Sequence, residues 1–521
     1  MPIVKIHGGF SKICKFGGSV QRDGQAHEVL HSRDVRDSLG CGEYEEPMQQ
    51  SIAMFPLLPL LAAALCSPAA LAAVEPILIE KVPHIRQKPD FCGEACAAMA
   101  LAKLGHPVDQ DFVFDASGLD PLLGRGCHTA ELDRALRRIG FQTGKVWRTA
   151  RASHADADLA AEWESLRADL ELGIPSIICM RYSAAPDATE HFRLVLGHDP
   201  AKDEVLYHEP AEDSGAYRRM SRRQFLELWP LKYDAERWTV IRLRLEPASI
   251  ETKPSPNGFT RADFAQHVMK LKKKLPGEGF AMVISPPFVV IGDEPAETVR
   301  RRAKQTVEWA VTKLKDAYFT KDPDEILDIW LFKDKESYTS TATRLFGRAP
   351  TTPFGFFSAE DHALVMNIAT GGGTLVHEIV HPFIRANFPD CPSWFNEGLA
   401  SLYEQSAERE GRIVGLTNWR LEGLKKAVQA RTLPTFEHLA ATSSDGFYRS
   451  DRGDNYAQAR YLCYYLQEMG LLGKFYGEFA KSSREDPTGY KSLQHVLGKN
   501  EADMPGFEAA WRRFVLELTF P

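Results

Sequence analysis

Charge of one sign, internal repeats and long apolar runs are all scarce in this chain of 521 residues, and each scarcity removes a class of protein. The 63 Lys and Arg are nearly matched by 70 Asp and Glu, giving a formal charge of −7 with both signs mixed along the chain. Nothing in that balance suggests a nucleic-acid partner. The absence of repeats or long low-complexity tracts excludes a solenoid or an array. One apolar run stands out, Met54–Leu65, and at twelve residues it is short of the twenty or so that a spanning helix needs. Pro56, Pro59 and Pro68 interrupt the wider window 54–74.

That run has the length of an export-signal core, and Ala70, Leu71 and Ala72 follow it with the small-x-small pattern of a signal-peptidase site, so cleavage before Ala73 is expected. A basic n-region is missing next to either Met48 or Met54. The polar segment upstream has no helical or strand periodicity and suits a start at one of those methionines. Contact with a membrane is expected only if the segment stays uncleaved as an anchor. Cysteine is sparse as well: nine in all, six after cleavage (Cys92, Cys96, Cys127, Cys179, Cys391, Cys463). Export permits disulfides, and Cys391 and Cys463, alone in the C-terminal half, are candidates for one bridge. The alternative is that most are reduced and buried as small apolar residues.

What is present is a globular composition, 44% hydrophobic and 26% charged, with enough chain for two or three domains. Residues 246–258, rich in Pro and Ser and ending in Gly, read as a linker between a domain at 74–245 and another at 259–521. In the second, Glu297–Ala317 reads as an amphipathic helix, Ile326–Phe332 as an apolar strand, and the chain after Glu397 as mainly helical. The expected class is α+β, a small sheet preceding a helical lobe.

Residues 377–381 read His-Glu-Ile-Val-His. Four-residue spacing on a helix turns His377 and His381 to one metal ion, while Glu378 reaches a water bound to it. Glu397, sixteen positions beyond His381, completes three protein ligands and leaves the fourth position open, as a catalytic Zn2+ site requires. Pro382 directly after the second histidine predicts a kink or loosening of the helix there. This half resembles the gluzincin metallopeptidases. The resemblance implies His377, His381 and Glu397 as ligands, Glu378 as general base, Tyr456 as oxyanion donor, and Asp361–Ile368 as the edge strand beside an extended substrate.

In the first domain, Cys92 stands where a loop marked by Pro89 and Asp90 gives way to an alanine-rich helix. Unpaired N–H groups at a helix N-terminus favour a thiolate there. Residues 190–197 and 204–210 read as two strands, and a hairpin centred on Pro200 puts His191 opposite Glu209. Cysteine, histidine and carboxylate in that order, with Gln87 five residues before the cysteine, resemble the papain-like fold and in particular the C39-type cysteine peptidases, over roughly residues 80–245. The resemblance implies Cys92 as nucleophile, His191 as general base, Glu209 as orienting acid and Gln87 as oxyanion donor. The expectation is therefore an exported two-domain hydrolase of peptide bonds. The alternative is a peptide-binding protein in which one or both sites have lost turnover.

Overall fold

The computed structural model describes residues 75–253, 258–449 and 453–520. The apolar run 54–65 and the cleavage site after it lie outside those residues. Among the described residues no helix is long and apolar enough to cross a membrane.

The N-terminal part is built on an antiparallel sheet with strands in the order Trp147–Arg151, Arg237–Arg244, Ser176–Arg181, Glu190–Asp199, Glu204–His208 and Arg218–Ser221. Ile77–Leu78 pairs with the far end of Glu190–Asp199. The helix Cys92–Lys103 is buried along nearly all its length because Ala95, Ala97, Ala98 and Ala100 leave it thin enough to sit inside the domain. Thr129–Ile139 is the opposite kind of helix, with Leu132, Ala135, Leu136 and Ile139 inward and arginines outward.

The C-terminal part opens on a five-stranded mixed sheet, in the order Ala281–Ser285, Phe288–Gly292, Leu327–Phe332, Ala363–Asn367, Gly355–Ser358. Strand alternation sends Val290, Ile329, Leu331, Leu364 and Met366 to one face, where the helical lobe packs. The other face presents Val289, Ile291, Trp330, Phe332 and Val365. The segment expected as an edge strand is interior: Ala363–Asn367 is flanked on both sides, and Gly355–Ser358 takes the edge by folding back at Ala359–His362. The expected helix runs from Ala296 to Ala317 with a π-helical stretch at Ala303–Glu308.

Much of the expected linker is packed. Glu246–Pro247 pairs with Phe141–Gln142, and the N–H groups of Ala248 and Glu251 donate to Gly140 and Ile139 at 2.9 Å each. Apolar contacts do not announce this strap, since it is held by backbone hydrogen bonds. The next helix, Arg261–Lys274, belongs to both parts. Ala262 and Ala265 join the first core, and Phe264, Val268 and Leu271 the second. Its side chains also reach backbone carbonyls of the first part, Arg261 to Leu119 (2.8 Å), Gln266 to Pro89 (2.8 Å) and Lys272 to Leu123 (2.7 Å).

Two further helices, Gly373–Asn387 and Ser393–Leu402, carry the metal-ligand motif. The first begins so close to the chain beyond the second that a Cβ on Gly373 would stand 1.9 Å from the Glu404 carbonyl oxygen. Gly373→Ala is expected to destabilise the protein by about 1–3 kcal/mol, read as a fall in Tm of about 2–4 °C per kcal/mol. Gly473→Ala, at a helical glycine with no atom within 4 Å of its Cβ position, is the control and is expected to leave Tm unchanged or raise it. Equal melting curves for the two variants would refute the close approach.

Candidate functional site

The helix Gly373–Asn387 passes through Pro382 without ending. Pro382 is buried and lacks the N–H that would meet the Glu378 carbonyl. The helix nevertheless continues beyond that position and still presents His381, with Ile379, Val380, Phe383 and Ile384 anchoring it on both sides. The second helix crosses Asp454–Glu468 at Gly398, where a Cβ would lie 3.0 Å from the Ala459 carbonyl oxygen. This close crossing sets the position of Glu397.

His377, His381 and Glu397 are brought together, with one ligand atom from each within 4.8 Å of the others. Glu397 Oε2 stands 3.4 Å from His377 Nε2 and 4.0 Å from His381 Nε2. Of the remaining atoms, His381 Nδ1 and Glu397 Oε1 are hydrogen-bonded, while His377 Nδ1 is buried without a hydrogen bond. His381 Nδ1–H donates to Asn396 Oδ1 at 3.0 Å, Glu404 Oε1 lies 3.4 Å from His377 Nδ1, and Glu397 Oε1 accepts from the Tyr448 hydroxyl at 2.8 Å. Each imidazole is thereby turned so that Nε2 faces the shared centre. Glu404 is in turn fixed by Arg420 (2.8 and 3.1 Å) and Asn418 (3.0 Å).

Electrostatics follow from that crowding. Burial by itself would lower His377, but the Glu397 and Glu404 carboxylates on either side of it, with Glu378 nearby, overcome it and raise its pKa to about 10. Burial opposes ionisation of Glu397 and Glu404, yet His377 and their other partners hold both at about 2. The result is a buried cation between two carboxylates. Glu397 Oε2 is buried and receives no hydrogen bond.

A cleft of about 610 Å³ opens on this cluster. Glu378 and Tyr456 line it, as expected, together with Phe356 and Phe357 of the edge strand, Ile384 of the histidine helix, Phe388 just past its end, and Tyr448. The Arg420 guanidinium lies 5.3 Å from the centre of the Tyr456 ring. Four residues escaped the sequence reading: Asn396, Glu404, Arg420 and Tyr448. Asn396 precedes Glu397 directly and Glu404 follows it by seven, two helical turns, so spacing could have suggested both. No sequence signal leads to Arg420 or Tyr448, which arrive from distant segments.

In the N-terminal domain His191 and Glu209 also meet, His191 Nε2 to Glu209 Oε1 at 2.5 Å. The register differs from the expected one. Leu194 pairs with His208 and Val195 with Tyr207 before a bulge at Leu196, which continues to Arg193, rather than His191, opposite Glu209. A slip of two residues keeps the same sheet face, so the imidazole still reaches the carboxylate diagonally. Arg193 takes the other oxygen, Nε to Oε2 at 2.7 Å. Burial opposes the Glu209 charge, but His191 and Arg193 hold its pKa at about 2. With Nε2 engaged, Nδ1 is the His191 nitrogen left for a thiol.

Gln87 is tied to the same corner by its N–H, which donates to the Pro210 carbonyl at 2.9 Å; its Oε1 is buried without a partner. Cys92 begins the helix Cys92–Lys103. The expected acidic thiol is not found there. Burial pushes Cys92 up to about 12, with Glu94 and Asp90 adding to the rise and hydrogen bonds from the Phe192 and Gly93 backbone only partly offsetting it. Among the described residues no hydrogen bond joins the thiol to His191, although Phe192 is its immediate neighbour in sequence. All six cysteines are free, including Cys391 and Cys463. Cys463 is enclosed in the helical core and Cys391 Sγ points to the Pro392 carbonyl at 3.7 Å, so the expected bridge is not formed.

Residues 79–235 match the Peptidase_C39 like family and form a C39-like peptidase domain. Residues 371–488 match a family described as a protein of unknown function, DUF1570. No curated protein matches the chain. Among solved structures, the peptidase domain of Streptococcus ComA, a bi-functional ABC transporter involved in a quorum sensing pathway, aligns with 16% identity over 32% of this chain and 99% of that one, at a TM-score of 0.23. The C39-like domain implies a peptide or protein substrate.

With a thiol pKa near 12, alkylation of Cys92 by iodoacetamide, followed by peptide mass spectrometry, is expected to speed up about tenfold per pH unit from pH 7 to 10. A rate that levels off below pH 8 would mean that the thiolate is stabilised after all.

Proposed function

We propose that the protein is a zinc-dependent peptidase of the gluzincin type in its C-terminal half, joined to a C39-like domain that engages peptide or protein. The observation that carries this reading is Glu397 Oε2, a buried carboxylate oxygen without a hydrogen-bond donor, facing the Nε2 atoms of two histidines.

The donor set fits the metal. Two imidazole nitrogens and one carboxylate oxygen are a catalytic zinc set, and ligands held at 2.0–2.1 Å in a tetrahedron lie about 3.3 Å apart, comparable with the 3.4 and 4.0 Å separations here. His377, His381 and Glu397 would hold the ion. Zinc bound there would supply polarisation of the scissile carbonyl and a water of lowered pKa. Glu378, beside the ligands in the cleft, takes the proton from the attacking water and returns it to the leaving amine. Tyr456 donates its hydroxyl to the developing oxyanion. Arg420 supports both ends of this arrangement, through Glu404 to His377 and across the Tyr456 ring. Because His377 must give up its proton to become a ligand, metal affinity rises with pH.

For the C39-like domain the same reading assigns Cys92 as nucleophile, His191 as base, Glu209 as orienting acid and Gln87 as oxyanion donor. A second reading, in which this domain docks peptides without cleaving them, is favoured by the raised Cys92 thiol and by the division of Glu209 between His191 and Arg193. Export rests on the apolar run Met54–Leu65 and the small residues after it.

Elemental analysis of the purified protein is expected to give about one zinc per chain, lost in Glu397→Ala and weakened about 10–100-fold in Glu404→Ala. Glu378→Gln is expected to keep the metal and lower peptide cleavage by about 10²–10⁴. Full cleavage by Glu378→Gln, or no zinc after reconstitution, would sink the proposal. If Cys92→Ala leaves all cleavage intact, the docking reading holds for the N-terminal domain.

A further inference from the structure

We infer that Arg385 sets the specificity of the metal-site cleft by selecting substrates with a carboxylate about two residues from the point of cleavage; this inference rests on the peptidase reading of that cleft. Arg385 is the sole Lys or Arg among the residues lining it. The two carboxylates of the lining, Glu378 and Glu397, already have roles as base and ligand. The walls near Arg385 are apolar: Ile384, Phe388 and Pro389 on its own side and Phe356 and Phe357 across.

The other arginines near the cluster are all committed. Arg420 is bound to Glu404, and Arg460 donates to the Ser401 and Leu402 carbonyls. Arg385 is exposed and makes no ion pair or hydrogen bond among the described residues. No partner among the described residues holds it, and it lines the cleft. A guanidinium offers a planar fork of donors that matches a carboxylate two bonds at a time, which a point-like ammonium does not. Bound peptide would exclude water from this apolar passage and strengthen the pairing.

Position narrows the substrate further. Arg385 lies four residues beyond His381 on the same face of the helix, an advance of about 6 Å. Extended peptide covers that distance in about two residues, at about 3.3 Å each. The matching carboxylate is either the C-terminus of a short peptide or an Asp or Glu side chain near the cleaved bond. The two sources share one chemistry and are separable by peptide design.

The test uses the full chain carrying Glu378→Gln, with and without Arg385→Gln, and fluorescent peptides of one sequence in four forms: free C-terminal acid or amide, each with an internal Glu or Gln. Binding is read by anisotropy. Arg385→Gln is expected to weaken the preferred carboxylate-bearing peptides about 10–100-fold, the range of a charge-assisted pair, and to leave the fully neutral peptide within about twofold, with Arg385→Lys intermediate. Loss of the acid-over-amide preference identifies the terminus, and loss of the Glu-over-Gln preference the side chain. Equal binding of acidic and neutral peptides before substitution, an equal loss for both after it, or no binding of any peptide overturns the inference. The peptidase reading is judged separately by zinc content and turnover. Carboxylate selection that depends on Arg385 in a chain without zinc would overturn the peptidase reading and leave only carboxylate recognition by Arg385 standing.

Discussion

A buried carboxylate oxygen aimed at two imidazoles is the constraint on which the C-terminal half depends. An anion without donors is costly inside a protein, so the surroundings must supply a cation. Among the residues described, His377 is that cation when protonated, with Glu397 and Glu404 flanking it at 3.4 Å each. The arrangement persists because its supports are rigid. Gly373 lets one helix begin against the Glu404 carbonyl, Gly398 lets the other press against Ala459, Tyr448 and Asn396 hold Glu397 Oε1 and His381 Nδ1, and Arg420 holds Glu404. A group that binds in place of the proton finds its ligands already oriented, and little reorganisation is left to oppose it.

The N-terminal domain shows how burial overrides a local rule. A helix N-terminus favours a thiolate by about 0.3–1 kcal/mol. Raising a thiol from 9.0 to about 12 takes several kcal/mol, at about 1.4 for each tenfold change. Burial among apolar neighbours and two nearby carboxylates therefore decides the protonation of Cys92. A similar competition governs Glu209, whose two oxygens serve different cations. Arg193, held also by the Arg181 and Tyr182 carbonyls, fixes the carboxylate in place while reducing the negative charge that His191 feels.

The two halves are not beads on a string. The helix Arg261–Lys274 contributes alanines to one core and larger apolar residues to the other. Gln266 on that helix holds the Pro89 carbonyl, three residues from Cys92, and His267 beside it meets Asp328 of the second sheet at 2.6 Å. One helix thus touches both the cysteine loop and the sheet beside the cleft that opens on His377, His381 and Glu397.

Spacing and family resemblance made legible which side chains the fold brings together at each candidate site. Glu397 and the order Cys92, His191, Glu209 follow from the resemblance alone, whereas the four-residue interval of His377 and His381 reflects the helical period. The α+β class was legible for the same reason. Register, edges and supports were not, because they depend on contacts between segments far apart in sequence. A bulge at Leu196 moved Arg193 opposite Glu209, a fold-back at residues 359–362 gave the sheet edge to Gly355–Ser358, and backbone hydrogen bonds packed a segment with the composition of a linker. The sequence by itself determined which candidate side chains cluster and, for the two histidines, the helical period that displays them. Only the tertiary structure decided their protonation, their orienting partners and what stands beside them, since burial and long-range packing set the local dielectric and geometry that no single segment contains.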